Sequence, residues 1–172
     1  MKILSFNVSW ECMSNSEEGT AGKLGSICKN LSHNNFQCRD NLILYLQQIR
    51  NIYDDFDIIC LQEAANLDVL KNEFNQNFFF HHHKSGPEVM ITIINNYKYK
   101  ITDILTGEFK KGRPYCIFIL ESILDASTLI VVNLHYCSNY NHEVCNDIKF
   151  YLTQTLLNKY PNYQYQFCNS RI

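Results

Sequence analysis

FDIICLQEA, at residues 56–64, is an apolar run typical of a buried strand, and it ends in polar residues. Two other stretches have the same form, ILSFNVSWE at residues 3–11 and STLIVVNLHY at residues 127–136. In layered α/β proteins, ligand and catalytic groups gather at strand ends, because the sheet is rigid there and the loops give access. We therefore expect three buried strands whose polar ends meet at a functional site.

The three runs deliver Asn7, Glu63 and His135 to their carboxyl ends. Glu63 is the main candidate metal ligand, with Asn7 beside it, because Mg²⁺ prefers oxygen ligands and usually completes its shell with water and substrate phosphate. Mn²⁺ takes similar ligands. The Asn7 amide both donates and accepts, so it is suited to orient a bound water or a phosphate. The alternatives are a solvated glutamate that begins a loop and a satisfied amide at a strand end.

His135 is the candidate for contacting the phosphate or stabilising charge on it, since imidazole titrates near neutrality. The alternative is a core histidine bonded to the backbone. Arg113 is the candidate phosphate-binding residue, because its planar guanidinium can fork onto two oxygens. Four lysines nearby in the sequence would help to gather an anionic substrate, although such a basic run is more often a solvated hairpin edge: Lys98, Lys100, Lys110 and Lys111.

The histidine triplet His81, His82 and His83 resembles a metal-ligand set only at first sight. Successive side chains point in different directions along a strand or helix, so three adjacent imidazoles rarely close around one ion. Neither a cysteine nor a carboxylate lies at zinc-site spacing from them. We interpret the triplet as an exposed polar turn, and the sequence assigns it no role.

The composition predicts one globular domain. The chain has 172 residues, of which 46% are hydrophobic and 13% aromatic, enough for a real core. The formal net charge of −2 argues against bulk attraction to nucleic acid, while a local basic site stays open.

The cysteines and the start of the sequence predict a cytoplasmic protein. Eight cysteines without Cys-x-x-Cys spacing do not form a recognisable disulfide framework, which favours a reducing compartment. The first strand-like run turns polar too soon for a signal peptide. The apolar runs all fall short of the roughly 18–20 residues that a membrane span needs.

Strands and helices follow one another in mixed order, which indicates α/β layering. Apolar residues at helical spacing predict helices at 37–54 and 143–159. Alternating residues predict two hairpins, one from strands at 88–95 and 98–105, the other from strands at 117–122 and 127–135. The polar stretch at 12–36 predicts a long surface segment.

In this order, the FN, LQE and N-x-H motifs resemble those of the endonuclease/exonuclease/phosphatase superfamily, which includes deoxyribonuclease I. GRPYCIFIL, at residues 112–120, and the NLH strand are similar to its central hairpin, with Arg113 leading into it. The resemblance implies an α/β fold, a partial four-layer sandwich, with residues 1–172 as a single incomplete domain. It also implies Mg²⁺- or Mn²⁺-dependent hydrolysis of a phosphodiester or phosphomonoester by in-line attack of water, with nucleic acid among the substrates.

Two motifs of the family are absent from the sequence, a Gly-Asp-x-Asn strand and a closing Asp-His pair. The first supplies the residue that deprotonates water, and loss of a general base typically costs about 10²–10⁴ in rate. We therefore expect weak or no activity from this chain alone. An exposed sheet face would favour self-association or a complementary chain that supplies the missing half. The alternatives are a non-catalytic phosphate-binding or regulatory remnant and a nonfunctional gene fragment.

Overall fold

The computed structural model describes residues 1–8, 38–53, 56–64, 70–72, 74, 77–86, 88–110, 113–135 and 142–161. The predicted surface segment at 12–36 lies outside these residues. The chain forms two compact units, Met1–His135 and Tyr136–Ile172.

The first unit contains a four-stranded sheet in the order β1-β2-β4-β3. Its central strand β2 comes from the LQE motif and is buried along its whole length, as a continuous apolar run requires. The strand β1 runs parallel to β2, while β4 runs antiparallel to both β2 and β3. The bounds are β1 Ile3–Asn7, β2 Ile58–Gln62, β3 Phe78–Ser85 and β4 Glu88–Asn95.

A three-stranded antiparallel sheet faces the first one, with β6 in its centre. Its strands are β5 Tyr99–Lys110, β6 Arg113–Ser122 and β7 Thr128–Leu134. The predicted hairpin of β6 and β7 is confirmed. Ala126, in the turn between these strands, has a φ of 57°.

Side chains of β2 alternate between two cores, because neighbouring residues of a strand point to opposite faces. Ile58 and Cys60 pack between the sheets with residues of β6 such as Cys116 and Phe118. Ile59 and Leu61 point to the other face and pack in a cluster that includes Leu46. Burial raises the pKa of the Cys60 and Cys116 thiols to about 12, so both behave as small apolar side chains.

Two helices agree with the predicted ones to within one residue. The helix α1, Cys38–Tyr53, belongs to the first unit and buries Ile43 and Leu46. The helix α2, His142–Lys159, belongs to the second unit, buries Leu152 and Leu156, and has Lys159 in its last turn. Neither described helix has the length and apolarity that a membrane span requires.

Two expectations about the strands are wrong. We expected β1 to be buried, but it lies at the edge of its sheet, and Ile3 and Phe6 are exposed. Among the described strands β1 pairs with β2 alone, so it has less cover than β2, although both sequences are apolar. We also expected residues 88–95 and 98–105 to form a hairpin. The strands β4 and β5 instead belong to different sheets, and residues 96–98 carry the chain from one sheet to the other.

The histidine triplet does not form a turn, as we expected, but lies in β3 and pairs with β4. His82 is exposed, whereas His81 and His83 point to the other face and are half-buried. The ring of His81 meets Phe118 edge-on at 5.3 Å between centroids. Alternation along the strand thus separates the three rings, which agrees with the argument against a shared ion.

Candidate functional site

Five strand ends bring polar side chains to one edge of the two sheets. The parallel strands β1 and β2 end there with Asn7 and Glu63. The strand β4 is antiparallel to β2, so its first residue, Glu88, lies at the same edge. From the second sheet, β6 begins with Arg113 and β7 ends just before His135.

The structure brings Asn7, Glu63 and His135 together. Nδ2 of Asn7 donates to Oε1 of Glu63 at 3.0 Å and lies 3.4 Å from Nε2 of His135. Nε2 of His135 lies 3.2 Å from the same Glu63 oxygen. The three tips therefore share one small volume, and their catalytic and metal-binding roles remain predictions.

Glu88 and Arg113 lie on the other side of the His135 ring. Oε2 of Glu88 lies 2.8 Å from Nδ1 of His135, and its Oε1 lies 3.2 Å from Nη1 of Arg113. The same guanidinium nitrogen is 3.5 Å from Nδ1 of His135. The imidazole is thus held between two carboxylates, and Arg113 is in the site but paired with one of them.

Sequence reasoning missed Glu88. Its strand was predicted with the correct first residue, but without the antiparallel pairing to β2 that places this residue beside Glu63. The Gly-Pro dipeptide at residues 86–87 of the sequence was the available signal, because such a pair favours a turn and so indicates that a strand begins after it.

The donor set fits a divalent cation. Glu63, Glu88 and His135 each offer one ligand atom, and these atoms lie within 4.8 Å of one another. The two glutamate side chains are 21% and 19% exposed, so an ion from solvent can reach them, while His135 is 8% exposed. Two carboxylates against one guanidinium leave excess negative charge when the imidazole is neutral. Carboxylates suit both Mg²⁺ and Mn²⁺, and the added imidazole nitrogen favours Mn²⁺, the softer of these two ions.

Asn7 presents its amide nitrogen, not its oxygen, to Glu63. In this arrangement it orients the carboxylate by donating a hydrogen bond. Its predicted role as a direct metal ligand needs the amide oxygen and stays a prediction.

The described lysines of the predicted basic run do not form one patch, and Lys111 lies outside the described residues. Lys98 pairs with Asp57, and Lys100 lies opposite Glu121, whereas Lys110 lies opposite Arg113. Ten residues of strand separate Lys100 from Lys110, which is roughly 33 Å. Lys98 and Lys100 therefore lie at the end of the sheet remote from Arg113.

Glu63 has a φ of 57°, in the left-handed region that favours glycine. This conformation costs a non-glycine residue about 1–2 kcal/mol. Strained backbone that is retained in this way is typical of functional sites. The conformation directs the carboxylate toward Asn7 and His135 as the chain leaves β2.

The sequence matches no protein-family model and no curated protein. Solved structures do resemble the chain. An endonuclease/exonuclease/phosphatase family protein from Bacteroides thetaiotaomicron is 14% identical, with a TM-score of 0.68 over 95% of this chain and 58% of that chain. D. rerio TDP2 complexed with a single-strand DNA product is 15% identical, with a TM-score of 0.59 over 90% and 54%. A mannosyl-6-phosphatase from the same Bacteroides species is 14% identical, with a TM-score of 0.65 over 92% and 60%.

The chain spans a little more than half the length of each of these structures. Identities this low establish the fold alone. The predicted fold class is confirmed: a mixed α/β protein with two sheets that matches about half of a deoxyribonuclease I-like domain. The resemblance inferred from the FN, LQE and N-x-H motifs is confirmed in the same sense.

Proposed function

Because the chain has the fold of the endonuclease/exonuclease/phosphatase superfamily, we propose that it binds a divalent cation, Mg²⁺ or Mn²⁺, and with it the phosphate of a phosphoester. The observation that carries this proposal is the group of Glu63, Glu88 and His135, with ligand atoms within 4.8 Å of one another at an edge where both sheets end. The predicted Asn7 and Arg113 border this group.

Each residue has a task in this proposal. Glu63 and Glu88 provide carboxylate oxygens, and Asn7 holds the Glu63 carboxylate in place through its donated hydrogen bond. His135 offers Nε2 to the cation while Glu88 accepts from Nδ1, which sets the orientation of the ring. Arg113 lies close enough to exchange its contact with Glu88 for phosphate oxygens. A bound divalent cation supplies positive charge that neutralises the phosphate and the leaving oxygen.

The proposed reaction is hydrolysis of a phosphodiester or phosphomonoester by in-line attack of water. The fold supports both ester types, since the similar structures include TDP2 with a DNA product and a mannosyl-6-phosphatase. Nucleic acid is thus one proposed substrate. The sequence lacks the family's Gly-Asp-x-Asn and Asp-His motifs, so we expect turnover by this chain to be weak or absent.

A titration with Mn²⁺, followed by the loss of the free-ion paramagnetic resonance signal, tests the cation site. We expect one site in the wild-type chain and loss of binding in Glu63→Gln, which keeps the shape of the side chain but removes its charge. Glu121→Gln, opposite Lys100 on β6, is the matched control and should bind as the wild type does. Equal binding by wild type and Glu63→Gln would refute the proposed site.

A non-catalytic phosphate-binding or regulatory protein is the second candidate function, since binding needs only the carboxylate and imidazole group with Arg113 beside it. Hydrolysis of bis(4-nitrophenyl) phosphate and 4-nitrophenyl phosphate, with and without Mg²⁺ or Mn²⁺, separates the two. Cation-stimulated turnover that disappears in Glu63→Gln supports the enzyme. Cation-dependent binding of inorganic phosphate without turnover supports the binding protein.

A further inference from the structure

We propose that Asn133 is a positioning residue for the cation site. Its buried side chain ties β7 to β2 and β4 and so fixes the separation between His135 on one sheet and Glu63 on the other. This inference rests on the proposed cation site, and it adds a residue that contacts neither the ion nor the substrate.

A chain of hydrogen bonds crosses from one sheet to the other through Asn133. Nε2 of Gln62 donates to Oδ1 of Asn133 at 2.8 Å. Nδ2 of Asn133 in turn donates to Oγ1 of Thr92 at 2.9 Å and to the carbonyl of Ile91 at 3.2 Å. Asn133 and Thr92 are each 1% exposed, so these contacts are shielded from water.

The bridge continues to the first strand. Nε2 of Gln62 also donates to Oγ of Ser5 on β1 at 3.4 Å and to the carbonyl of Cys60 at 3.3 Å. Ser5, Gln62 and Asn133 therefore connect β1, β2 and β7, the three strands that lead to Asn7, Glu63 and His135.

The register places this polar bridge directly before the site. Ser5 lies two residues before Asn7 and Asn133 two residues before His135, while Gln62 is the residue before Glu63. Residues two apart in a strand point to the same face. The side chains of Ser5 and Asn7 therefore share one face of the first sheet, and those of Asn133 and His135 share one face of the second.

Polar groups are unexpected between these sheets, where the neighbouring side chains include Cys60, Met90 and Cys116. Apolar residues would fill the space without desolvating amides. Hydrogen bonds, unlike apolar contacts, are directional, and a satisfied buried network specifies one relative position of the elements it joins. Such a constraint matters most at a site assembled from two sheets, since a displacement of about 1 Å can reduce catalysis about 10²-fold.

The first test compares Asn133→Leu with Val131→Ala. Val131 is buried on the same face of β7, two residues further from His135, so its truncation destabilises the sheet interface without touching the bridge. We expect Asn133→Leu to weaken Mn²⁺ binding about 10-fold, the lower end for residues that orient metal ligands. Val131→Ala should keep the wild-type affinity. Equal weakening in both variants would overturn the proposal, because it would reduce the role of Asn133 to general stability.

A second variant separates positioning from folding. In Gln62→Leu/Thr92→Val/Asn133→Leu, every side-chain partner of the central hydrogen bonds is replaced by an apolar group of similar size. Removal of both partners of a buried hydrogen bond is often nearly neutral for stability, so this variant should be more stable to urea than Asn133→Leu alone. Its Mn²⁺ affinity should remain about 10-fold low. If the triple variant regained wild-type Mn²⁺ affinity as well as stability, Asn133 would not be a positioning residue.

A third readout needs no ion. In NMR spectra of the metal-free chain, Asn133→Leu should shift the ring resonances of His135 and the side-chain amide of Asn7, whereas Val131→Ala should leave both in place. If the wild type binds no Mn²⁺, the proposed function fails, and these resonances still decide the positioning role. Unchanged resonances in Asn133→Leu would overturn it.

Discussion

Glu88 and His135 form a carboxylate–imidazole pair between the two sheets, with Oε2 2.8 Å from Nδ1. When Nδ1–H donates to this carboxylate, the lone pair of Nε2 faces Glu63 and Asn7. Metal-binding histidines commonly have such a carboxylate on their second nitrogen, which fixes the ring and its tautomer. The pair therefore supports a binding role for His135 whether Glu88 contacts the ion or only orients the ring.

Glu88→Gln should weaken cation binding about 10- to 100-fold, the range for loss of an outer-shell partner. Glutamine keeps a hydrogen-bonding group near Arg113 and His135, so the urea midpoint should change little. Calorimetric titration with Mn²⁺ measures the affinity, with Glu121→Gln as the control. If Glu88→Gln binds Mn²⁺ with wild-type affinity, Glu88 is not part of the cation site.

Glu63→Gly and Glu63→Ala should differ in stability but not in function. Both lack the carboxylate and should lose cation binding. At a φ of 57°, glycine is unstrained while alanine is not, so the glycine variant should be more stable by about 1 kcal/mol. Urea unfolding of the pair provides the comparison. A more stable alanine variant would contradict the left-handed conformation of Glu63.

Asp57→Asn should destabilise the chain at neutral pH by about 2 kcal/mol, the range for hydrogen bonds to charged groups. Burial alone would raise the pKa of Asp57, but the hydrogen bonds from Lys98 and from the backbone amide of Lys2 hold this pKa below 3.8. Its stabilisation is therefore fully present above about pH 4 and is lost as the pH falls through the folded-state pKa. Urea unfolding from pH 7 to pH 3 should show the difference between wild type and variant shrink below pH 4. A constant difference would contradict the assignment.

His81→Gln should flatten the pH dependence of stability on the acidic side of neutrality. Burial, followed by the charges of His83 and His82, lowers the pKa of His81 below 6.5, and its Nε2 is buried without a hydrogen-bond partner. The unfolded chain takes up the proton first, so stability is full above pH 6.5 and falls toward the lowered pKa, by at most about 1.4 kcal/mol per pH unit for one proton. His82→Gln, on the exposed face, is the comparison and should flatten the slope less, because the charge of His82 is the smallest of these three causes. Identical slopes for both variants would refute this account.

Gly107→Ala should destabilise the second sheet by about 1–3 kcal/mol, as overpacking does. A Cβ at this position would lie 2.5 Å from the hydroxyl oxygen of Tyr115 and 2.7 Å from its ring carbon Cζ. Tyr115 is buried, so its ring has little room to move. Thermal unfolding measures the loss, and Gly107→Ala/Tyr115→Leu should recover part of it. Full stability of Gly107→Ala would show that the ring does not cover the glycine.

The sequence predicted where the strands and helices lie better than it predicted which strands pair with one another. Periodicity located α1, α2 and the hairpin of β6 and β7, because these depend on local patterns. It failed for β4 and β5, since adjacent alternating strands have the same pattern whether they pair or change sheets. It also failed for β3, where three histidines masked a strand whose pairing with β4 is set by the rest of the sheet.

For the site, the motifs named Asn7, Glu63, His135 and Arg113, which the structure brings together. Each lies at the end or the start of a recognisable apolar run, so these residues could be named from the rule that functional groups gather at strand ends. Glu88 was missed because its place in the site depends on the antiparallel pairing of β4 with β2. Asn133 is a single polar residue in an apolar strand, and its role depends on partners in the opposite sheet, which no local pattern specifies.

Among the described strands, residues 96–98 are the single covalent crossing between the two sheets, and they lie at the end remote from the site. At the other end the sheets are joined by side chains, including the pairs Gln62–Asn133 and Glu88–Arg113. Around the apolar core between them, the two sheets are thus joined by the chain itself at one end and by polar side chains at the end that carries the site. Glu63 and Glu88 belong to the first sheet and His135 follows a strand of the second, so an ion bound by all three would add a further link between the sheets at that end. Amide hydrogen exchange near Glu63, Glu88 and His135 would then slow on cation binding, while exchange at residues 96–98 would not change.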